Sequence, residues 1–77
     1  MKVIAKNKIS GRTAQAIVAA AGRSGMPILF KKDGRTINAS SLLGVLSLVI
    51  LPGDTVEVIG SENADVIKEI TTLLQGE

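Results

Sequence analysis

Two serines and one arginine are the residues of this sequence whose positions suggest chemistry. Ser10 stands two residues before Arg12 at the start of an Ala-rich segment, and Ser41 directly precedes an apolar run. Hydroxyl groups at such positions cap helices, and the free amides of a helix start also bind anions, which Arg12 would help to hold. Ser10 is a candidate phosphate acceptor, but no neighbouring base would activate it, so a helix cap is its simpler role.

Two residue types that carry much of enzyme chemistry near neutral pH are absent. The 77 residues include no histidine and no cysteine, which excludes imidazole bases and ligands, disulfides, thiolate zinc sites and cysteine nucleophiles. No glycine run matches a nucleotide-binding loop. We therefore expect no enzyme activity and no cofactor, and a protein that is itself bound or modified.

The composition indicates one small domain over residues 1–77. A chain of this length forms one core, and aliphatic side chains must fill it, because 45% of the residues are hydrophobic and Phe30 is the only aromatic one. A net charge of +2 is too small for a basic nucleic-acid-binding face. No apolar stretch is long enough to span a bilayer and no signal-peptide pattern is visible, so we expect a cytoplasmic protein.

The elements that position the two serines follow from local patterns. Strands are predicted at residues 1–5, 27–32, 35–39 and 55–59, and helices at 13–23 and at about 42–48. A last helix is predicted with Ser61 or Glu62 before it and Gly76 after it. Asp33-Gly34 predicts a type I′ hairpin turn. The order β-α-β-β-α-β-α predicts an α+β fold, an open-faced β-sandwich in which a four-stranded, mostly antiparallel sheet has three helices on one face.

The first and last helices each have a predicted buried stripe at spacings of three or four residues. In the first helix the stripe is Ala16, Ile17, Ala20 and Ala21; in the last it is Ala64, Ile67, Ile70, Thr71 and Leu74. Both stripes are expected to face the sheet.

The second predicted helix has more apolar surface than a short helix can bury on one side. Its apolar residues are Leu42, Leu43, Val45 and Leu46. Some of them are expected to stay exposed, and exposed apolar patches mark contacts with other proteins. Alternatively, Leu43 and Leu46 complete a core that is short of aromatic residues. Gly44 within this helix indicates the close approach of either a partner or a neighbouring element.

Two stretches, taken with the element order, resemble HPr, the phosphocarrier family of the bacterial sugar phosphotransferase system. Residues 8–14 read Lys-Ile-Ser-Gly-Arg-Thr-Ala, where the family typically has Gly-Ile-His-Ala-Arg-Pro-Ala. Residues 37–48 read Ile-Asn-Ala-Ser-Ser-Leu-Leu-Gly-Val-Leu-Ser-Leu and are similar to the family's Val-Asn-x-Lys-Ser-Ile-Met-Gly-x-Met-Ser-Leu. The two motifs align without a gap between them, and the resemblance covers nearly the whole chain.

The resemblance aligns Ser10 with the phosphate-carrying histidine, Arg12 with the arginine beside it, and Ser41 with the regulatory serine. Without the histidine, the relay from phosphoenolpyruvate through enzyme I to sugar permeases cannot operate in its usual form. Thr13 stands where the family has a proline, which also departs from the carrier pattern. The nearest functional likeness is the catabolite-repression HPr, which also lacks the histidine and serves regulation.

The same resemblance implies that Ser41 is phosphorylated by an HPr kinase/phosphorylase and that Leu42, Leu43, Val45 and Leu46 dock on partners. The implied partners are that kinase, a transcriptional regulator or an enzyme I homologue. Ser40 stands where the family usually has lysine, a departure beside the phosphorylation site. Two alternatives stay open: a phosphocarrier-type protein that uses Ser10 as phosphoacceptor, and an RNA-binding module whose only base-stacking residue would be Phe30.

Overall fold

The sheet and helices follow the predicted order. The computed structural model describes residues 1–60 and 64–76. The strands are β1 (Lys2–Ile4), β2 (Leu29–Lys32), β3 (Arg35–Asn38) and β4 (Thr55–Ile59), and the helices are α1 (Gly11–Arg23), α2 (Leu42–Ser47) and α3 (Ala64–Gln75). The predicted α+β order β-α-β-β-α-β-α is confirmed.

The four strands form one antiparallel sheet in the order β1-β4-β2-β3. In the β2–β3 hairpin, Lys32 pairs with Arg35, and the two residues between them, Asp33 and Gly34, have φ angles of 52° and 79°. Positive φ at both positions defines the predicted type I′ turn. Because paired residues share a face of the sheet, this turn directs Lys32 and Arg35 to the same side.

One face of the sheet is buried and the other is open. Val3, Phe30 and Val58 are buried, while Ile4 and Lys31, which alternate with them, are exposed. Phe30 has no solvent exposure at all. The only aromatic residue of the sequence is therefore not available on the open face for the base stacking that RNA binding would require.

The buried stripes of the outer helices differ in part from the predicted ones. In α1 the buried residues are Ala14, Ile17, Ala20 and Ala21, and Ala16 is half-buried. In α3 they are Val66, Ile70 and Leu74, while Ile67 and Thr71 are half-buried and Ala64 is exposed. Because α3 contacts both α1 and β1, its buried face lies between these two neighbours and includes Val66.

The ends of the elements differ from the predictions by one or two residues. α1 begins at Gly11 because Ser10 caps it, and β2 begins at Leu29. Ser61 and Glu62, the residues predicted to precede α3, lie outside the described residues. Within residues 1–60 and 64–76, no helix combines the length and apolarity that crossing a bilayer requires.

Candidate functional site

Ser41 caps the N-terminus of α2 and lies at the protein surface. Its Oγ atom accepts a hydrogen bond from the amide of Gly44 at 3.1 Å, and its carbonyl oxygen accepts one from the amide of Val45 at 2.9 Å. The backbone of Ser41 is extended, with φ −100° and ψ 115°, as N-cap residues are. Of the two adjacent serines, Ser40 and Ser41, it is Ser41 that caps the helix.

Asn38 turns the chain from β3 into α2. Its side-chain Oδ1 accepts hydrogen bonds from the amide of Ser40 at 2.9 Å and from the Ser40 hydroxyl at 2.7 Å. Its carbonyl oxygen accepts the amide of Ser41 at 2.9 Å. The first two bonds hold the exposed Ser40 against Asn38, the third holds the Ser41 backbone, and the Ser41 hydroxyl is left to cap the helix.

Gly44 allows the first turn of α2 to pack closely on β3. A Cβ atom at this position would lie 3.2 Å from Ser41 Oγ and 3.3 Å from Ile37 Cβ. Both neighbours belong to this chain, so internal packing explains the glycine. A larger residue here would displace the Ser41 cap or push α2 away from Ile37.

The apolar residues of α2 divide into a buried side and an exposed side. Leu43 is 81% exposed and Leu46 is 39% exposed, whereas Leu42 is half-buried. Val45 is only 1% exposed, because it packs in the core beneath the helix. The prediction that Val45 contacts partners is therefore wrong, and Leu43 and Leu46 do not complete the core.

Two cations from the β2–β3 hairpin hold the C-terminal end of α2. Arg35 donates from Nη1 to the carbonyl oxygen of Ser47 at 2.9 Å and from Nη2 to the Ser47 hydroxyl at 3.2 Å. Lys32 donates from Nζ to the carbonyl oxygen of Leu48 at 3.1 Å. Positive charge is favourable there because helix C-termini carry partial negative charge. α2 has no basic residue in its own last turn, so the hairpin supplies it.

The role of Lys32 and Arg35 was not predicted from the sequence. The signal for it was the Asp33-Gly34 turn, because two residues that flank a two-residue hairpin loop share one face of the sheet. Which face they share depends on how the helices pack, and local patterns do not determine that.

Lys32 also connects the hairpin to the turn before β4. Its ammonium group lies 3.1 Å from Asp33 Oδ2 and 3.4 Å from Asp54 Oδ2, with only 12% of its side chain exposed. Asp54 Oδ2 also accepts the amide of Leu51 at 2.8 Å. That amide, and then the nearby Lys32 ammonium, lower the pKa of Asp54. The hydrogen bond to Asp33, and then the Asp54 carboxylate, raise the pKa of Lys32 despite its desolvation.

Val49, which follows the C-cap of α2, has a left-handed backbone conformation. Its φ is 50°, and its amide donates to the carbonyl oxygen of Leu46 at 3.2 Å, just after Leu48, the C-cap residue of the helix. Glycine is the usual residue here, since a side chain in this conformation costs roughly 1–2 kcal/mol. Within residues 1–60 and 64–76, the only other non-glycine residue with positive φ is Asp33 in the hairpin turn.

Ser10 and Arg12 lie at the exposed start of α1. Ser10 Oγ accepts the amide of Thr13 at 3.3 Å and donates to Thr13 Oγ1 at 3.4 Å, so Ser10 is the predicted helix cap. Arg12 is exposed and makes no ion pair with any described residue. α1 contacts α2, but no hydrogen bond or ion pair of the described residues joins Ser10 to Ser41.

An open cavity of about 280 Å³ lies beside the start of α1. It is lined by Asn7, Lys8, Ile9, Thr13, Leu73 and Gly76. None of these residues carries a carboxylate or an imidazole, so this lining offers no base that would take the proton from the Ser10 hydroxyl.

Known proteins resemble this chain both in sequence and in structure. Residues 1–76 match the family described as PTS HPr component phosphorylation site. Two relatives named HPr-like protein Crh are similar to the whole chain: that of Halalkalibacterium halodurans is 29% identical with 94% of its length covered, and that of Bacillus subtilis is 28% identical with 93% covered. The crystal structure of phosphocarrier protein HPr from Bacillus anthracis superposes with a TM-score of 0.80 at 30% identity, covering 97% of this chain and 94% of that one.

Proposed function

Because the chain belongs to the HPr family, we propose that it is a regulatory protein that docks on partner proteins through α2 and is switched by a phosphate on Ser41. The sequence contains no histidine, so it cannot form the phosphoramidate through which a histidine carrier passes on its phosphoryl group. A serine phosphate is an ordinary ester and transfers this group far less readily. This difference favours a regulatory function over one in which the protein passes its phosphoryl group to another protein.

The observation that carries this proposal is the position of Ser41 beside an exposed apolar surface. The Ser41 hydroxyl caps α2, and Leu43 and Leu46 are exposed in the turns that follow. A phosphate adds a charge of about −1.5 to −2 at pH 7. A partner that covers Leu43 and Leu46 also approaches this phosphate, so its affinity depends on whether Ser41 is modified.

The phosphate would come from ATP through an HPr kinase/phosphorylase. The Ser41 Oγ attacks the γ-phosphorus, the hydroxyl proton passes to a base on the kinase, and ADP leaves. The ester oxygen keeps a lone pair and still accepts the amide of Gly44, which now lies 3.1 Å away. Modification is therefore compatible with the helix cap.

The partners proposed are the kinase itself and a transcriptional regulator or an enzyme I homologue, and membership of the HPr family supports partners of this kind. We propose that residues 1–77 act as one unit in the cytoplasm, where ATP and such a kinase meet the protein. Leu42, Leu43 and Leu46 are the residues proposed to contact these partners, and Leu43 exposes the largest fraction of its surface.

The first test is phosphorylation of the full chain by a purified HPr kinase/phosphorylase with ATP, followed by intact-mass analysis and site mapping. We expect one phosphate on Ser41 in the wild-type protein and in Ser10→Ala, and none in Ser41→Ala. Both alanine variants remove one helix cap, so they are matched for stability. An unmodified wild-type protein, or a phosphate on another residue, would contradict the proposed switch.

The same assay tests the alternative in which Ser10 is the phosphoacceptor. Ser10 and Arg12 are both exposed, which leaves Ser10 accessible to a donor protein. Incubation with phosphoenolpyruvate and enzyme I in place of the kinase should leave the chain unmodified. A phosphate mapped to Ser10 under these conditions would replace the regulatory proposal with a carrier-type function.

A further inference from the structure

Two exposed hydroxyl groups stand side by side at the proposed phosphorylation site. Ser40 and Ser41 are adjacent in the chain, and both residues are exposed. Consecutive Cα atoms are only about 3.8 Å apart, so a kinase that brings ATP to one serine also brings it near the other. Exposure alone therefore does not decide which hydroxyl receives the phosphate.

The hydrogen bonds of the two hydroxyls differ in the fate of their protons. The Ser41 Oγ accepts the amide of Gly44 at 3.1 Å, and among the described residues no acceptor takes the Ser41 hydroxyl proton. The Ser40 Oγ instead donates its proton to Asn38 Oδ1 at 2.7 Å. The Ser41 proton is therefore free to pass to a base on the kinase, whereas the Ser40 proton is already held within the chain.

Asn38 cannot itself serve as the base for Ser40. An amide oxygen accepts hydrogen bonds, but it is too weakly basic to take up a proton near neutral pH. Asn38 Oδ1 also accepts the Ser40 amide at 2.9 Å, so one atom holds both the backbone and the hydroxyl of Ser40. To react, the Ser40 hydroxyl must first break its bond with Asn38 and rotate towards the kinase.

The two serines also have different surroundings. Ser40 and Asn38 line an open cavity of about 250 Å³, together with residues from the end of α1 and from the segment that leads into β2. Neither Ser41 nor the exposed Leu43 lines this cavity. A kinase that docks on α2 therefore meets the Ser41 hydroxyl, while Ser40 borders a cavity that α2 does not line.

We infer that Asn38 selects the phosphorylation site: it masks Ser40, a second acceptor, and leaves Ser41 to the kinase. This inference rests on the proposed function and names the residue that determines which serine is modified. At either serine, the Oγ forms a bond to the γ-phosphorus, the bond from that phosphorus to ADP breaks, and the hydroxyl proton passes to a base on the kinase. Asn38 acts through the Ser40 hydroxyl, so it is a positioning residue.

The test maps the phosphate in the wild-type chain, Asn38→Ala and Asn38→Asp after reaction with ATP and a purified HPr kinase/phosphorylase. The readout is the ratio of the initial rates at Ser40 and Ser41. Alanine frees the Ser40 hydroxyl, so this ratio should rise at least about fivefold. Aspartate keeps an oxygen acceptor at the same position, so the ratio should stay within about twofold of the wild-type value.

Two further variants separate site selection from a structural effect. Thr36→Ala is the matched control, because Thr36 is exposed on the same strand and lies outside the hydrogen bonds of Ser40. It should keep the wild-type ratio, and a general loss of structure would lower both rates together. Asn38→Gln moves the oxygen outwards by one methylene and should behave like Asn38→Ala, so it provides the test if alanine unfolds the chain.

Each result supports or overturns the inference. Phosphate on Ser41 alone in the wild type and in both Asn38→Ala and Asn38→Gln would overturn the role of Asn38 and leave the proposed function intact. An unmodified wild-type chain would overturn both. A ratio that rises as much in Asn38→Asp or Thr36→Ala as in Asn38→Ala would show that the hydrogen bond to Ser40 does not select the site.

Discussion

The ammonium group of Lys32 lies 3.1 Å from the carbonyl oxygen of Leu48, the C-cap residue of α2. This bond joins a strand of the sheet to the helix that bears the proposed docking surface. The side chain of Lys32 is mostly buried, and its other contacts are the carboxylates of Asp33 and Asp54. The neighbouring Lys31 is exposed on the opposite face of the sheet. The two lysines therefore form a natural comparison.

Replacing Lys32 with methionine should lower the melting temperature by several degrees. The substitution keeps the length of the side chain but removes the donor to Leu48 and leaves Asp54 without its counter-ion. Lys31→Met is the matched control and should melt like the wild type, because exposed substitutions change stability little. Thermal unfolding followed by circular dichroism measures both. Equal effects of the two substitutions would mean that Lys32 does not anchor α2.

Acid stability should depend on Asp54. The pKa of Asp54 in the folded state lies below its ordinary value of 3.8, so its ionised form stabilises the fold at neutral pH. This contribution is present above the unfolded-state pKa and is lost as pH falls through the lower folded-state pKa. Asp54→Asn should therefore flatten the fall in urea midpoint below about pH 4, where carboxylates titrate.

Glu57→Gln is the control for the acid prediction. Glu57 lies on β4 opposite Lys2 and Lys31, with no backbone donor to its carboxylate among the described residues. The difference between the two variants therefore reports the hydrogen bond from the Leu51 amide to Asp54. A profile for Asp54→Asn that stays as steep as that of the wild type would show that other groups cause the acid sensitivity.

Gly44→Ala and Gly22→Ala should change stability in opposite directions. In α2, the new methyl group would meet Ser41 and Ile37, so we expect a loss of about 1 kcal/mol in the free energy of unfolding. In α1, nothing lies within 4 Å of the corresponding position at Gly22, and helix propensity should add about 0.5–1 kcal/mol. Urea denaturation distinguishes the two. A stabilising Gly44→Ala would mean that α2 has room to shift.

Leu43→Gln should weaken binding to the kinase without weakening the fold. The Leu43 side chain is mostly in solvent, so stability should change by less than about 0.5 kcal/mol. Covering it in a complex would remove its apolar surface from water, which predicts roughly a tenfold loss of affinity. Ile4→Thr, on the open face of the sheet, is the control and should bind normally in the same titration.

Thr71→Val should stabilise the protein by about 1 kcal/mol. The Thr71 hydroxyl is buried in α3 and, within the described part of the chain, has no hydrogen-bond partner. Valine has nearly the same shape and removes the unsatisfied group. Thr72→Val is the control, and its free energy of unfolding should change by less than about 0.5 kcal/mol. An equal gain in both variants would point to side-chain hydrophobicity in general.

Features set by local chemistry were predictable from the sequence. The Asp33-Gly34 turn, the caps at Ser10 and Ser41, and the strand at residues 55–59 all depend on near neighbours in the chain. Features set by packing were harder to predict from the sequence. The burial of Val45 depends on which side of α2 meets the core, and a six-residue helix is too short for spacing to show it.

The strain at Val49 and the Lys32 contact with Leu48 are equally hard to read from the sequence. Both arise where segments distant in the chain meet, at the C-terminal ends of α2 and β2. The pattern around Val49 is a continuous apolar run, and it contains no residue that marks a left-handed turn. Only the positions of the buried neighbours on either side show that the chain must turn there.

The residues that hold α2 in place are different from those that it exposes. Ser41, Val45, Arg35 and Lys32 secure the helix, while Leu43 extends into solvent and takes almost no part in the core. Mutations at Leu43 should therefore be nearly neutral for folding, and under the proposed function natural selection would act on them through binding alone. A gene duplicate of this protein would be free to acquire a new partner in a few substitutions while keeping its stability.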